Sequence, residues 1–128
     1  MTRKLISQGS LFERQIGYSR ALVQDGTVYV SGTTGFDYET MTISDNVIDQ
    51  ARQCFVNIGW ALDEAGCGFT DIVRVRYILP DRHEFEPCWP VLKEYLGDIR
   101  PAATMFVAGL ADPRMKIEIE VEARMPKT

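Results

Sequence analysis

The chain has 128 residues, 45% of them hydrophobic and 25% charged, a balance that fits one globular domain with one core rather than two. A formal net charge of −4 and a pI near 5.0 argue against nucleic-acid partners, whose capture rests mainly on positive charge. No segment approaches the ~20 apolar residues that cross a bilayer, and the basic start Arg3-Lys4 leads into no signal-like apolar run, so no membrane partner and a cytoplasmic location are expected.

The first element in chain order is a hairpin. Tyr18 to Gln24 and Thr27 to Ser31 are rich in apolar and β-branched residues, and Asp25-Gly26 between them suits a turn with positive φ. Gly32 and Gly35 then punctuate a polar loop reaching to about Thr42. From Asn46 to Ala65, Val47, Ala51, Cys54, Phe55, Ile58, Ala61, Leu62 and Ala65 recur at spacings of three and four, the stripe of one helix. Thr42 or Ser44 is the expected N-cap, and Gly66 the left-handed stop.

Residues 71 to 79 switch to period two. Val73, Val75, Tyr77 and Leu79 form one face of a strand, with Arg74, Arg76 and Ile78 on the other. A shorter helix is predicted over residues 84 to 96, with Phe85, Trp89, Leu92 and Leu96 as its apolar face and Gly97 as its end. Pro90 is expected to push its start later. Strands over residues 102 to 107 and 115 to 124 close the chain. In the last, Ile117, Ile119, Val121 and Ala123 alternate with Glu118, Glu120, Glu122 and Arg124.

The order hairpin, helix, strand, helix, strand, strand predicts an α+β fold. Two helices cannot cover both sides of such a sheet, so they are expected on one face. The acidic row of the last strand then lies on the open face, where Arg74 and Arg76 are candidate cross-strand partners.

Little conventional catalytic equipment is present. Cys54, Cys67 and Cys88 share no metal-ligand spacing, and with His83 as the single histidine neither a zinc site nor a Cys-His pair can be assembled. They read as reduced thiols, and no metal or cofactor is expected. Ser31 lacks a neighbouring base and is a poor nucleophile. Gly32-Thr33-Thr34-Gly35 has no Lys-Ser/Thr after it and is not a phosphate loop.

Several segments carry a family resemblance when taken together. They are Gly17-Tyr18-Ser19-Arg20-Ala21, Val30-Ser31-Gly32, Gln50-Ala51-Arg52-Gln53, the stretch from Ala61 to Gly66, Asp71-Ile72-Val73, Pro101-Ala102, and Lys116-Ile117-Glu118-Ile119-Glu120. In this order and spacing the chain resembles the Rid (RidA/YjgF) family. That likeness implies a chorismate-mutase-like fold, a mixed β-sheet with two helices on one face, and a homotrimer. It also implies a small-molecule ligand in a cleft at each subunit interface.

The resemblance assigns site residues as well. Tyr18 and the Ser31-Gly32 step match the positions that shape the family's pocket, and Glu118 matches the glutamate that orients water against an imine carbon. The family's deaminases hold the substrate carboxylate with an arginine in a Pro-Ala-Arg turn, a bidentate geometry that guanidinium provides. Here that position is Ala103, and Met105 stands where a cysteine is common. The implied function is an enamine or imine deaminase with an altered substrate, 2-aminoacrylate having lost its anchor. A non-catalytic metabolite-binding trimer stays open beside it, as does the RNA-directed activity described for some members. Arg14 and Arg20, flanking Tyr18, are candidates to replace the lost cation, whereas Arg100 is expected to face away.

Overall fold

The computed structural model of the protein describes residues 2–127. Its main sheet has six strands: β1 (Lys4–Ile6), β2 (Ala21–Gln24), β3 (Thr27–Thr34), β6 (Ile72–Leu79), β7 (Ala102–Val107) and β8 (Glu118–Arg124). They lie in the order β1-β2-β3-β8-β6-β7, and a short ribbon of β4 (Phe36–Asp37) and β5 (Thr42–Ile43) stands apart. The sheet is mixed. Every neighbouring pair is antiparallel except β6 and β7, joined by the helical crossover such a pair requires.

The β2–β3 hairpin turns at Asp25 and Gly26 with φ of 54° and 77°, the two positive values its sequence predicts. Helix α1 (Val47–Ala65) buries all eight residues of its predicted stripe, and Gly66 ends it at φ 93°. Its cap differs from expectation. Asn46, not Thr42 or Ser44, accepts from the amides of Ile48 and Asp49, while the Ser44 hydroxyl accepts from the Asn46 amide just before it.

Two further expectations shift in detail. A β-bulge between Ile72 and Arg74 turns Val73 outward and buries Ile72 in its place, so the predicted face holds only from Val75 onward. Helix α2 (Phe85–Leu96) spans the predicted range, and Pro90 does not delay its start, a 3₁₀ turn at Arg82–Glu84 leading into it. Its buried side is Cys88, Val91, Leu92 and Leu96, and Trp89 lies exposed.

Both helices pack on one face of the sheet. There Val28, Val30, Val75, Leu79, Ile117, Ile119, Val121 and Ala123 meet Phe55, Ile58, Leu62 and Val91 in one main core. Burying an aliphatic side chain of this kind contributes about 1.5–3 kcal/mol, so this face holds the sheet and leaves the other free for polar groups. On the open face Arg76 bridges Glu120 at 3.2 Å and Glu122 at 3.4 Å, as the alternating charges predict. These half-exposed pairs add little stability and mainly fix the order of charges.

Candidate functional site: a carboxylate held on a strand bulge

The feature that builds the site is a second bulge. Val30 pairs with Val121 and Thr33 with Ile119, so Ser31 and Gly32 together face the single residue Glu120. An inserted residue bends a strand and re-aims the side chains beyond it. After the bulge Thr33 turns into the core, and Thr34 pairs with Glu118 on the open side.

The bulge is pinned from several directions. The Ser31 hydroxyl donates to the Ser19 carbonyl at 2.6 Å, and the Ser31 amide donates to the Arg20 carbonyl at 3.0 Å. With its proton engaged there, Ser31 is a structural tie and not a nucleophile. From behind, the Cys54 thiol donates to the Thr33 carbonyl, and the Asn57 amide donates to the carbonyls of Thr34 and Phe36. The Tyr38 hydroxyl accepts from the Thr34 amide at 3.1 Å, fixing the strand exit from the loop side.

Glu118 lies across this bulge. A Cβ on Gly32 would sit 2.5 Å from Glu118 Oε2, so only a glycine leaves the carboxylate its space. No cation lies within salt-bridge distance of Glu118 among the described residues, unlike Glu120 with its Arg76 partner. Burial and the Glu120 charge push the Glu118 carboxyl up from its ordinary value, and the nearby Arg20 opposes them. A half-buried, unpaired carboxylate with a raised pKa is suited to take a proton from water.

These groups open on a cleft of about 540 Å³, walled by Tyr18, Ser31, Gly32, Thr34, Tyr38, Met115, Glu118 and Glu120 and edged by Phe12, Ile16 and Ala111. A larger hollow of about 680 Å³ runs over the open sheet face past Tyr29, Arg76 and Glu122 and shares Tyr18, Ser31 and Glu120. The smaller one contains Glu118 and Gly32, and the larger has neither. Loop 108–117 leads into the cleft and is clamped by the fully buried Gln50. Its amide donates to the carbonyls of Ser44 and Arg114, and its carbonyl accepts from the Lys116 amide.

Four of the predicted site residues therefore meet: Tyr18, Ser31, Gly32 and Glu118. Ala103 and Met105 do not join them within one chain. Ala103 pairs with Val75 and Met105 with Tyr77 on the outermost strand, on the helix side, whereas Glu118 pairs with Ile78 on the open side. Arg14 is exposed on the π-helical turn Glu13–Gly17, and Arg100 is exposed beyond α2.

Arg20, by contrast, is completely buried. Its Nη2 donates to the Gly32 carbonyl at 2.7 Å, and its guanidinium carbon lies 5.7 Å from the Tyr18 ring centre and 5.0 Å from that of Tyr38. Sequence reasoning assigns no role to Tyr38, Gln50 or Asn57. The two buried amides sit beside an apolar helical stripe with no local sign that they serve another segment.

Fold and site together define an α+β protein that keeps an unpaired carboxylate opposite a strand bulge at the open face of its sheet. The profile of the family described as endoribonuclease L-PSP matches residues 11–125, and the chain belongs to that family, to which the YjgF and RidA proteins are assigned. Among similar proteins, one from Capra hircus is 31% identical over 124 residues, covering 96% of this chain and 90% of that one. A human protein is 33% identical over 107 residues, covering 83% and 78%. Both are named 2-iminobutanoate/2-iminopropanoate deaminase. A solved structure from Mycobacterium tuberculosis, a member of the YjgF/YER057c/UK114 family, superposes with a TM-score of 0.88 at 34% identity, covering 97% of this chain and all of that one.

Proposed function

We propose that the cleft hydrolyses small imines or enamines, with Glu118 as the base that takes a proton from the attacking water. The carrying observation is the Glu118 carboxylate, held unpaired against Gly32 and raised in pKa at the cleft wall. Relatives at 31–33% identity named as iminobutanoate and iminopropanoate deaminases support the reaction class. Water adds to the carbon of the protonated imine as Glu118 accepts one of its protons, giving a neutral amino alcohol. Glu118 returns that proton to nitrogen, the C–N bond breaks, and the hydroxyl proton passes to the departing ammonia as the carbonyl forms, so one iminium ion and one water yield one ketone or keto acid and one ammonium ion. Tyr18 and Tyr38 wall the small substrate in and limit the positions it can take.

A homotrimer with a cleft at each subunit interface is part of this proposal. Its support is β7, an edge strand with Phe106 and Val107 exposed, the kind of edge that proteins cover. In such a trimer a neighbour's β7 adds a wall to the cleft through exposed residues such as Ala103, while Met105, packed against its own core, supports that strand from behind, and the substrate is held there without a turn arginine. The acidic row of Glu118, Glu120 and Glu122 speaks against RNA as the substrate.

The test is release of ammonia and carbonyl product from freshly generated 2-aminoacrylate and from a neutral imine, with sedimentation to give the assembly. Turnover of either above the buffer rate supports the reading. Ligand-induced thermal stabilisation without turnover of any imine replaces it with a metabolite-binding trimer.

A further inference from the structure

We propose that Arg20 sets the charge of the ligand: sealed behind the cleft wall, its uncompensated positive field selects a carboxylate-bearing imine or keto acid over the neutral counterpart. The inference rests on the small-molecule reading of the cleft and names the residue that recognises the ligand's anionic end.

Arg20 is a fully buried cation with an incomplete set of partners. One of its nitrogens donates to Gly32, while Nε and Nη1 are buried without a hydrogen-bond partner among the described residues. No carboxylate lies within 4.0 Å of its guanidinium among the described residues. The carboxylate of Glu13 touches the Arg20 main chain instead, and its charge is already spread over the Gln8, Ser10 and Arg20 amides and the Ser10 hydroxyl. A buried charge left in this condition is costly, and the Gly32 carbonyl and the two tyrosine rings offset only part of that cost.

The direction in which that charge acts is set by its surroundings. Arg20 stands against the Tyr18 and Tyr38 rings and the Gly32 carbonyl, and all three residues line the cleft. Its field reaches Glu118, where it counteracts the upward push of burial and Glu120. Glu120 is already matched by Arg76. A unit charge about 6 Å from a bound anion, in a medium between protein and water, changes affinity on the order of tenfold. A cation thus stands behind the bulge, against the cleft wall formed by Tyr18, Tyr38 and Gly32.

The experiment is titration calorimetry of the full chain with 2-oxobutanoate and with its neutral amide, stable probes that differ in one charge. The expected result is at least about tenfold tighter binding of 2-oxobutanoate at low salt. That preference should fall to about parity in Arg20→Gln and Arg20→Met, and Arg20→Lys should retain it. The methionine variant removes the buried charge together with its unpaired groups, so it keeps the test available if glutamine disturbs folding. Parity in the wild-type protein, or a preference surviving in either neutral variant, overturns the proposal. Because binding is measured, absence of imine turnover would remove the catalytic reading while leaving this one standing, and turnover with parity would do the reverse.

Discussion

Gly32 and Glu118 fit together as a socket and its occupant: the Glu118 carboxylate fills the space that a side chain at position 32 would need, 2.5 Å from where its Cβ would stand. The atom in the way is the tip of a flexible side chain, so Gly32→Ala should move the carboxylate and leave the fold in place. The expected loss is on the order of ten- to a hundredfold in kcat, because the base is misplaced by about an ångström. Melting temperature should change by only a few degrees. A large fall in Tm with unchanged kcat would mean that the bulge, not the carboxylate, needs the glycine.

Glu118 itself should trade stability for function. Burial, with the Glu120 charge, raises its folded pKa above the ordinary 4.5, so protonation is more favourable in the native than in the unfolded chain. The stabilisation this gives is fully present below the unfolded pKa and is lost as pH rises through the folded one. Glu118→Gln, which cannot ionise, should therefore be at least as stable as the wild type at neutral pH. Activity should run the other way, rising with pH as the carboxyl ionises. Thermal melts at several pH values, set against a pH–rate profile, check both signs.

Much of this arrangement is legible in the residues. Asp25-Gly26 specifies the hairpin turn, the α1 stripe is buried as its spacing requires, and the alternation from Ile117 to Ala123 separates core from cleft. Both bulges escape such reading, because an extra residue in a strand changes no composition and shows only in the pairing. For the same reason period two alone places Val73 inward and gives no sign that Thr34 sits on the open side. Arg20 is legible only as a candidate, since an arginine in a Tyr-Ser-Arg run reads as a solvated strand end. Its guanidinium is covered in part by Tyr38, which comes from the turn after β4 rather than from the hairpin itself.

Glu13 should control acid tolerance. Burial pushes its carboxyl up, but hydrogen bonds from Ser10 and Gln8 outweigh this and leave it below its ordinary 4.5. Stability from this group is present above the unfolded pKa and is lost as pH falls through the folded one. Glu13→Ala removes the acceptor for the Gln8, Ser10 and Arg20 amides and should cost roughly 1–3 kcal/mol. Urea unfolding at pH 7 and pH 4 measures it, with the gap between variant and wild type narrowing at the lower pH.

Gln50 should act on catalysis from a distance. Replacing it with leucine leaves the Ser44 and Arg114 carbonyls and the Lys116 amide without their shared partner, costing roughly 1–3 kcal/mol. The freed loop leads directly into Glu118, so kcat should fall along with stability. Amide exchange over residues 111 to 117 should speed up while the β2–β3 hairpin stays protected.

The most direct measurement compares kcat/KM for 2-iminobutanoate in the wild-type protein and in Glu118→Gln. Ammonia and 2-oxobutanoate should appear well above the buffer rate with the wild type, and should drop by about 10²–10⁴-fold in a variant that remains folded. A glutamine variant with full activity, or a wild-type rate no faster than buffer both for 2-iminobutanoate and for a neutral imine, would contradict Glu118 as the base of an imine hydrolase.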